Sequence, residues 1–314
     1  MFASSLVGRK VLVTGATGFL GSHLTRRLLE NGSEVHAVSR IQRSTETTGL
    51  RWWQADVADI GAARNLLRTI RPDLVYHFAG LSTAAPDFEL VLPTLQSLLV
   101  STVNILTAAR ETGRCRVVLA ASLTEPEPSA AYPTPGSPYA AAKWASGAYA
   151  RMFHRLYQLP VVMVRPFMTY GPAQDKRKVI PYVIFSFLRG EAPKLSSGNQ
   201  QFDWIYIDDV VDGLLATGEV TNVEGCTIDL GSGVSVSVSK VVEHLNNFTA
   251  ARVKPMFGAL PDRPLEWVRV ANTKEAYTRL RWRPRTPLEK GLERTVEWYR
   301  RHLHYFRGDG TIRI

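Results

Sequence analysis

Tyr139 and Lys143 are separated by three alanines in the run SPYAAAK, residues 137–143. Side chains four positions apart lie on the same face of a helix, so the phenol and the ammonium would be neighbours. A free phenol has a pKa of about 10 and exchanges protons poorly at neutral pH. A nearby positive charge favours the phenolate. Together the two residues could transfer a proton, whereas each alone could belong to a solvated surface.

A glycine-rich segment near the N-terminus, TGATGFLG, places Gly15, Gly18 and Gly21 at intervals of three. It lies between a predicted strand and a predicted helix. In that context the first glycine permits a tight turn, the second admits a pyrophosphate, and the third lets the helix pack closely on the strand. The N–H groups at the start of the helix attract phosphates. This segment predicts a dinucleotide-binding loop.

The end of the second predicted strand bears on the choice of cofactor. An acidic residue there would accept a hydrogen bond from the ribose 2′-hydroxyl and favour NAD. The chain instead has Ser39 and Arg40, with Arg43 close behind, and guanidinium groups suit a 2′-phosphate. We therefore predict NADP(H) as the preferred cofactor, with NAD as the alternative. Asp56 is expected to accept from the adenine amino group, or else to cap a helix that begins near Asp59.

Elements that could position these residues alternate through the first half of the chain. Apolar, β-branched runs predict strands at 10–15, 34–40, 51–57, 73–80, 116–122 and 159–166. Helical patterns occur at 19–32, at about 90–112 and around Tyr139. Continuous apolar strands alternating with helices indicate a parallel sheet covered on both faces. Right-handed crossovers then give a doubly wound α/β fold, a Rossmann sheet.

The alternation changes after about residue 166, which predicts two parts. Residues 1–166 are expected to form an NADP-binding Rossmann domain. Residues 167–314 are expected to form mainly a smaller, interleaved C-terminal substrate-binding lobe, with 202–219 returning to the Rossmann domain. A substrate would bind between the two.

Composition limits the class of protein. The 314 residues are 45% hydrophobic and carry a formal net charge of +10. The arginines are scattered, so we expect no nucleic-acid partner. A solvated basic surface together with a cationic pocket for phosphorylated ligands would account for the charge. Cys115 and Cys226 are far apart, which indicates a reducing compartment, and we predict no metal site. No uninterrupted apolar run reaches the ~18 residues of a membrane helix and no leader pattern is present, so we expect a cytoplasmic protein without membrane contact.

Several motifs together resemble the extended short-chain dehydrogenase/reductases that act on nucleotide sugars, a family of NAD(P)-dependent epimerases, dehydratases and ketoreductases. The motifs are TGATGFLG, Asp56, HFAG (77–80), Ser122, YAAAK (139–143), RPFMTYGP (165–172), Asp208-Asp209 and LRWRPRTPLEKGLERTVEWYR (280–300). They occur in the family's order and span nearly the whole chain.

The resemblance implies a role for each motif. Tyr139 would give a proton to a sugar ketone, or remove one in the reverse direction, and Ser122 would hydrogen-bond the same oxygen. Lys143 would also bond the nicotinamide ribose. The cofactor is expected to contact Gly15, Thr17, Gly18, Phe19, Leu20, Ser39, Arg40, Arg43, Asp56, Val57, Phe78, Ala79, Gly80, Tyr139, Lys143 and Pro166. The substrate is expected to contact Ser82, Thr83, Ser122, Met168 and Arg263.

Departures from the family pattern narrow the expected chemistry. Dehydratases carry an acidic residue directly after or near the position of Ser122, where this chain has Leu123, and Glu125 lies one step too far. Phe202 replaces an arginine that grips the diphosphate, and Met168 replaces an asparagine. Arg263 matches the family's second diphosphate-binding arginine. The cationic run Lys176-Arg177-Lys178 either helps Arg263 to bind the diphosphate or is simply an exposed loop.

The leading hypothesis is NADPH-dependent reduction of a nucleotide-activated keto-sugar, most specifically by a 4-ketoreductase of an NDP-4-keto-6-deoxyhexose. The alternative is an NAD-dependent nucleotide-sugar 4-epimerase. A redox-sensing regulator that binds NADP without catalysis is a rival of another class. Apolar residues in the helices around 90–112 and 138–158 predict a homodimer formed by a four-helix bundle, unless those faces lie on the sheet.

Overall fold

The computed structural model describes residues 6–44, 47–113, 115–126, 132–262 and 268–303. The chain divides into two compact units. The first comprises Met1–Pro166, Val211–Leu230 and Lys274–Trp282, and the second comprises Phe167–Val210, Gly231–Thr273 and Arg283–Ile314. That the first unit binds the cofactor and the second the substrate stays a prediction.

The strands are β1 (Lys10–Thr14), β2 (Glu34–Ser39), β3 (Leu50–Gln54), β4 (Leu74–His77), β5 (Arg116–Ala120), β6 (Val161–Pro166), β7 (Met168–Tyr170), β8 (Gln201–Tyr206), β9 (Thr227–Leu230) and β10 (Ser235–Ser237). The helices are α1 (Phe19–Glu30), α2 (Ile60–Ile70), α3 (Phe88–Thr112), α4 (Pro138–Tyr157), α5 (Val179–Leu188), α6 (Ile207–Glu219), α7 (Val238–Thr249), α8 (Thr273–Leu280) and α9 (Leu288–His302).

The first unit is built on a seven-stranded sheet in the order β3-β2-β1-β4-β5-β6-β9. Each neighbouring pair is parallel. The order reverses beside β1, which is the switch point of a doubly wound fold. The predicted α/β class with a doubly wound parallel Rossmann sheet is confirmed. Because the strands are parallel, the segments that follow them share one edge of the sheet.

Burial on both faces explains why these strands are apolar without alternation. Val11, Leu12 and Val13 in β1 are fully buried, and so are Val161 and Val162 in β6. Helix α1 buries Leu24 and Leu28, which are one turn apart. Each large aliphatic side chain removed from water contributes roughly 1.5–3 kcal/mol, so the central strands are the most strongly determined part of the fold.

The second unit contains a three-stranded sheet in the order β10-β8-β7. Strand β8 pairs antiparallel with β10 and parallel with β7. The structure therefore differs from the expected return of 202–219 to the Rossmann domain. Strand β8 stays in the second unit because its ladder partners are there, and the chain rejoins the first unit within α6, from Val211 onward.

Helix α3 is interrupted in its middle. Residues Leu95–Val100 are wound as a π-helix between α-helical turns, a form that is rare and often found near functional sites. By length and composition α3 could also cross a membrane, and 33% of its most apolar stretch is buried. A core helix of a globular protein passes the same criterion, so the expected lack of membrane contact stays a prediction.

Candidate active site

Helix α4 presents the tyrosine and the lysine in its first two turns. Ser137 caps the helix, since its side chain accepts a hydrogen bond from the N–H of Ala140 at 3.1 Å, and Pro138 follows at the first helical position. This cap and the proline fix where the helix begins. Tyr139 and Lys143 then lie one turn apart and both are partly buried.

Ser122 meets Tyr139 from the neighbouring strand. It lies two residues beyond the end of β5 and is 6% exposed. Its hydroxyl is 2.9 Å from the hydroxyl of Thr124. Burial raises the pKa of Tyr139, and the nearby side chain of Ser122 acts in the opposite direction. The structure thus brings together the hydroxyl groups of two residues that are far apart in sequence, as a shared contact with one substrate oxygen requires.

Lys143 is held by the strand rather than by the phenol. Its ammonium donates a hydrogen bond to the carbonyl oxygen of Ala120, the last residue of β5, at 2.7 Å. Burial lowers the pKa of Lys143 to about 8, and the negative charge of Glu125 acts in the opposite direction. The amine is therefore much easier to deprotonate than a surface lysine.

The acidity of Tyr139 differs from the sequence-based expectation. Burial raises its pKa, the nearby side chain of Ser122 lowers it, and the charge of Glu125 raises it. We expected Lys143 to favour the phenolate, but its ammonium is bonded to Ala120 and burial decides the direction. At neutral pH the phenol is protonated, so it can donate a proton.

A small cavity of about 10 Å³ lies beside Lys143 and is lined by side chains of β4, β5, α3, α4 and β6. His77, at the end of β4, is one of its walls. The ring nitrogen Nδ1 of His77 is 2.7 Å from the hydroxyl of Thr14, and Ser101 is 3.3 Å from Nε2. Burial and the charge of Lys143 lower the pKa of His77 to about 3. Sequence reasoning gave His77 no separate role, although a histidine that ends an apolar strand was a signal.

Glu125 is the second residue whose role sequence reasoning missed. It is 7% exposed, and its Oε1 accepts a hydrogen bond from the backbone N–H of Ser122 at 2.7 Å. The other oxygen is 3.8 Å from Nη2 of Arg165. By sequence alone its position three residues after Ser122 is one step too far for a dehydratase acid, and local spacing gives no signal for its contact with Arg165, 40 positions further along the chain.

The glycine loop fits a dinucleotide. Gly15 has a φ of 68°, and a Cβ atom there would lie 2.6 Å from the carbonyl carbon of Phe78 and 2.7 Å from the nitrogen of Ala79. Only glycine permits this close approach of the β1–α1 loop to the end of β4. Helix α1 has no side-chain cap and no acidic residue in its first turn. Its N-terminus therefore remains able to receive phosphate groups.

The other predicted cofactor contacts follow the ends of the strands. Arg40 and Arg43 are exposed just after β2, and the guanidinium of Arg43 lies 5.4 Å from the centroid of the Trp52 ring. Asp56 is exposed and accepts from the N–H of Ala58 at 2.9 Å. It does not cap α2, because Asp59 does so through the N–H of Ala62.

The remaining predicted residues have these positions. Thr17 and Gly18 are exposed in the loop, Phe19 and Leu20 open α1, Ser39 ends β2, Val57 is buried after β3, Phe78, Ala79 and Gly80 follow β4, Ser82 and Thr83 precede α3, and Pro166 ends β6. Met168 opens β7 in the second unit. Arg263 lies outside the described residues, so its expected contact stays a prediction.

The second unit has a cavity of about 300 Å³ beside the residue that replaces the family's arginine. Its walls are Ser197, Asn199, Gln200, Gln201, Phe202, Asp262 and Val268. Asp262 accepts hydrogen bonds from the N–H and the hydroxyl of Ser197, each at 3.0 Å. In the cationic run, Arg177 pairs with the neighbouring Asp175.

Comparison with known proteins relates the chain to enzymes. The NAD dependent epimerase/dehydratase family matches residues 11–231. The UDP-glucose 4-epimerase of Mycolicibacterium smegmatis is 31% identical and covers 93% of this chain and 98% of that protein. The dTDP-glucose 4,6-dehydratase of Haemophilus influenzae is 27% identical, and the match covers 92% of this chain and 97% of that protein. The solved structure of the UDP-glucose 4-epimerase of Thermus thermophilus, in complex with NAD, superposes with a TM-score of 0.81 at 25% identity. The superposition covers 93% of this chain and 99% of that structure.

Proposed function

This chain belongs to the NAD dependent epimerase/dehydratase family, within the extended short-chain dehydrogenase/reductases, and we propose that it reduces a nucleotide-activated keto-sugar with NADPH. The most specific form is a 4-ketoreductase of an NDP-4-keto-6-deoxyhexose. The observation that carries the proposal is that Tyr139 and Lys143 lie one helical turn apart on α4 and that Lys143 is hydrogen-bonded to Ala120, two residues before Ser122.

The proton chemistry follows from the side chains. The phenol of Tyr139 carries its proton at neutral pH, and burial raises its pKa further. This makes it a weaker acid, so the proton would pass to a carbonyl oxygen only as negative charge develops there. Ser122 would donate to the same oxygen and stabilise developing negative charge. Ser122 is buried and Tyr139 is partly buried, which strengthens these interactions. Proton donation is what reduction of a ketone needs.

The fit of the glycine loop supports a nicotinamide cofactor, which when bound would supply the hydride. The loop after β1 and the start of α1 would hold its pyrophosphate, and the segment after β4 would lie beside it. Arg40 and Arg43 stand exposed where a 2′-phosphate would need positive charge. These two residues support NADP(H) over NAD.

A nucleotide-sugar 4-epimerase is the second candidate, because two of the relatives above are UDP-glucose 4-epimerases. The proton-transfer residues would be the same. The absence of a carboxylate after β2 is the feature of this chain that argues for the reductase instead.

One experiment separates the two. The purified protein is mixed with NADPH and a panel of NDP-4-keto-6-deoxyhexoses, and separately with UDP-glucose alone, while nicotinamide absorbance and sugar products are followed. A reductase consumes NADPH in step with the keto-sugar. Conversion of UDP-glucose to its 4-epimer without NADPH loss, together with NAD released in stoichiometric amount on denaturation, would replace the reductase with the epimerase.

We also propose that the protein is a homodimer. Helices α3 and α4 pack together, and each leaves apolar side chains exposed, among them Phe88, Leu92 and Leu156. A second copy of the same surface would bury these side chains, which is the usual reason for a symmetric interface. The test is given with the predictions below.

A further inference from the structure

Glu125 is a buried carboxylate that the proposed reaction does not use. It lies in the segment after β5 and is 7% exposed. Acidic side chains are almost never this buried without partners, because the charge loses its hydration. Two partners are present in the first unit: the backbone N–H of Ser122 on one oxygen and the guanidinium of Arg165 near the other.

We propose that Glu125 is a positioning residue of this active site, which fixes the backbone of Ser122 and places a negative charge in the segment that follows Ala120, the residue to which Lys143 is bonded. The inference rests on the proposed roles of Ser122, Tyr139 and Lys143. Its test below uses no turnover, so that its failure is distinguishable from a failure of the proposed reaction.

Glu125 fixes the geometry of the backbone around Ser122. Ala121, directly after β5, still donates a hydrogen bond to Val164 of β6. The next N–H, that of Ser122, bonds the carboxylate of Glu125 at 2.7 Å instead of a strand. The N–H of Thr124 bonds the hydroxyl of Ser122 at 3.2 Å. The side chain of Glu125 thus reinforces a tight turn around Ser122, in which the N–H of Glu125 bonds the carbonyl oxygen of Ser122 at 3.3 Å.

The carboxylate is itself anchored to the sheet. Arg165 in β6 and Asp229 in β9 are register partners, and Nη1 of Arg165 donates to Oδ1 of Asp229 at 2.8 Å. Nη2 of the same guanidinium is 3.8 Å from Glu125. Two strands therefore hold the guanidinium in place, and the guanidinium holds the carboxylate. A flexible loop residue alone would not supply a fixed charge.

Glu125 also acts on Lys143 through its negative charge. Among the described residues, Glu125 from the segment after β5 acts on both Lys143 and Tyr139, and Lys143 in turn acts on His77 of β4. Arg165 of β6 and Asp229 of β9 lie behind Glu125. Burial favours the neutral amine of Lys143, whereas Glu125 favours the ammonium. His77 is neutral at physiological pH and adds no charge. Glu125 is therefore the group whose removal acts most directly on Lys143.

Two substitutions of Glu125 distinguish its effect on the Ser122 backbone from its electrostatic effect on Lys143. Glu125→Gln keeps an oxygen that can accept from Ser122 but removes the charge, whereas Glu125→Ala removes both. Glu243→Gln, an exposed ion-pair residue of the second unit, is the matched control. Hydrogen exchange measures protection of the Ser122 amide, and NMR of ¹³C-labelled lysine measures the titration of Lys143, whose signal is assigned by its loss in Lys143→Arg.

We expect a Lys143 midpoint of about pH 8 in the wild type and in Glu243→Gln. In both Glu125 variants the midpoint shifts to lower pH. Protection of Ser122 is retained in Glu125→Gln and lost in Glu125→Ala. An unchanged Lys143 midpoint in Glu125→Gln would overturn the electrostatic half, and unchanged protection of Ser122 in folded Glu125→Ala would overturn the positioning half. If Glu125→Ala does not fold, loss of Ser122 protection in Glu125→Gln overturns the positioning half instead.

Discussion

The ammonium nitrogen of Lys143 lies 2.7 Å from the carbonyl oxygen of Ala120, to which it donates a hydrogen bond. Ala120 ends β5, and Ser122 follows two residues later. The bond therefore joins the helix that carries Tyr139 to the strand that leads to Ser122. Lys143 contributes to the site by holding these two elements together as well as by its charge.

Binding of NADPH should weaken as the pH rises through about 8. Lys143 has its pKa lowered to about 8 by burial, so the ammonium is present below that pH and lost above it. Fluorescence titration of NADPH against pH would measure the effect. Lys143→Arg keeps its charge at every accessible pH and should show no transition near pH 8. A wild-type affinity that is constant across this range would contradict the assignment of Lys143 to the cofactor.

Replacing Tyr139 by phenylalanine should lower the reduction rate roughly 10²- to 10⁴-fold, the usual contribution of a positioned acid. NADPH affinity and folding should change little, since the ring remains. Tyr149→Phe is the matched control, because Tyr149 is exposed on the same helix. Initial rates of NADPH loss with an active keto-sugar measure the outcome. A Tyr139→Phe enzyme as fast as wild type would require another proton donor.

Removing the guanidinium of Arg43 should weaken NADPH binding about 10- to 100-fold, because a hydrogen bond to a charged group contributes about 1.5–3 kcal/mol. NADH binding should be unchanged, since NADH lacks the 2′-phosphate. Arg43→Ala and Arg40→Ala are compared with Arg26→Ala, an exposed arginine on α1. Equal loss of affinity for both dinucleotides would instead indicate a general structural role of Arg43, such as its stacking on Trp52.

Local spacing explains which parts of this structure the sequence predicted. The apolar runs of β1 and β6 form their strands largely from neighbouring residues, so the Rossmann sheet was predicted correctly. The binding role of the glycines after β1 stays a prediction. Strand β8 was assigned to the wrong unit because its partners, β7 and β10, are distant in sequence and strand pairing is not a local property.

The contacts of the candidate site depend on packing, which spacing alone does not determine. Tyr139 and Lys143 were predicted to share a helix face, and they do. The direction of the Tyr139 pKa was not predicted, because it is set first by burial in the surrounding chain, while the ammonium of Lys143 is bonded to Ala120. The role of Glu125 depends on Arg165 and Asp229, which are 40 and 104 positions further along the chain.

Acid should destabilise the protein through His77. Its pKa is lowered to about 3 in the folded chain and is about 6.5 when unfolded. Between these values the unfolded state binds more protons, so stability is complete above about pH 6.5 and falls as the pH decreases toward 3. The loss at pH 5 is about 2 kcal/mol from this residue. Urea unfolding across this range would measure it.

The variant His77→Asn supplies the control for this prediction. Asparagine cannot titrate, so the free energy of unfolding should depend less steeply on pH between 5 and 7 than in the wild type. Some slope remains, because burial also lowers the pKa of His36. An identical slope in the two proteins would show that His77 takes up a proton without unfolding.

The exposed apolar residues of α3 and α4 should hold two copies together. Leu92 is 69% exposed and Leu156 is 64% exposed, and covering such surface contributes about 25 cal/mol per Å². Sedimentation should give twice the chain mass of 35.0 kDa for the wild type and a single chain mass for Leu92→Glu with Leu156→Glu. Val234→Glu, at an exposed residue of the second unit, should remain dimeric. A wild-type protein that sediments as one chain at every concentration would contradict the dimer. In that case, binding of the wild type, but not of the double variant, to lipid vesicles would assign the apolar face of α3 to a membrane surface.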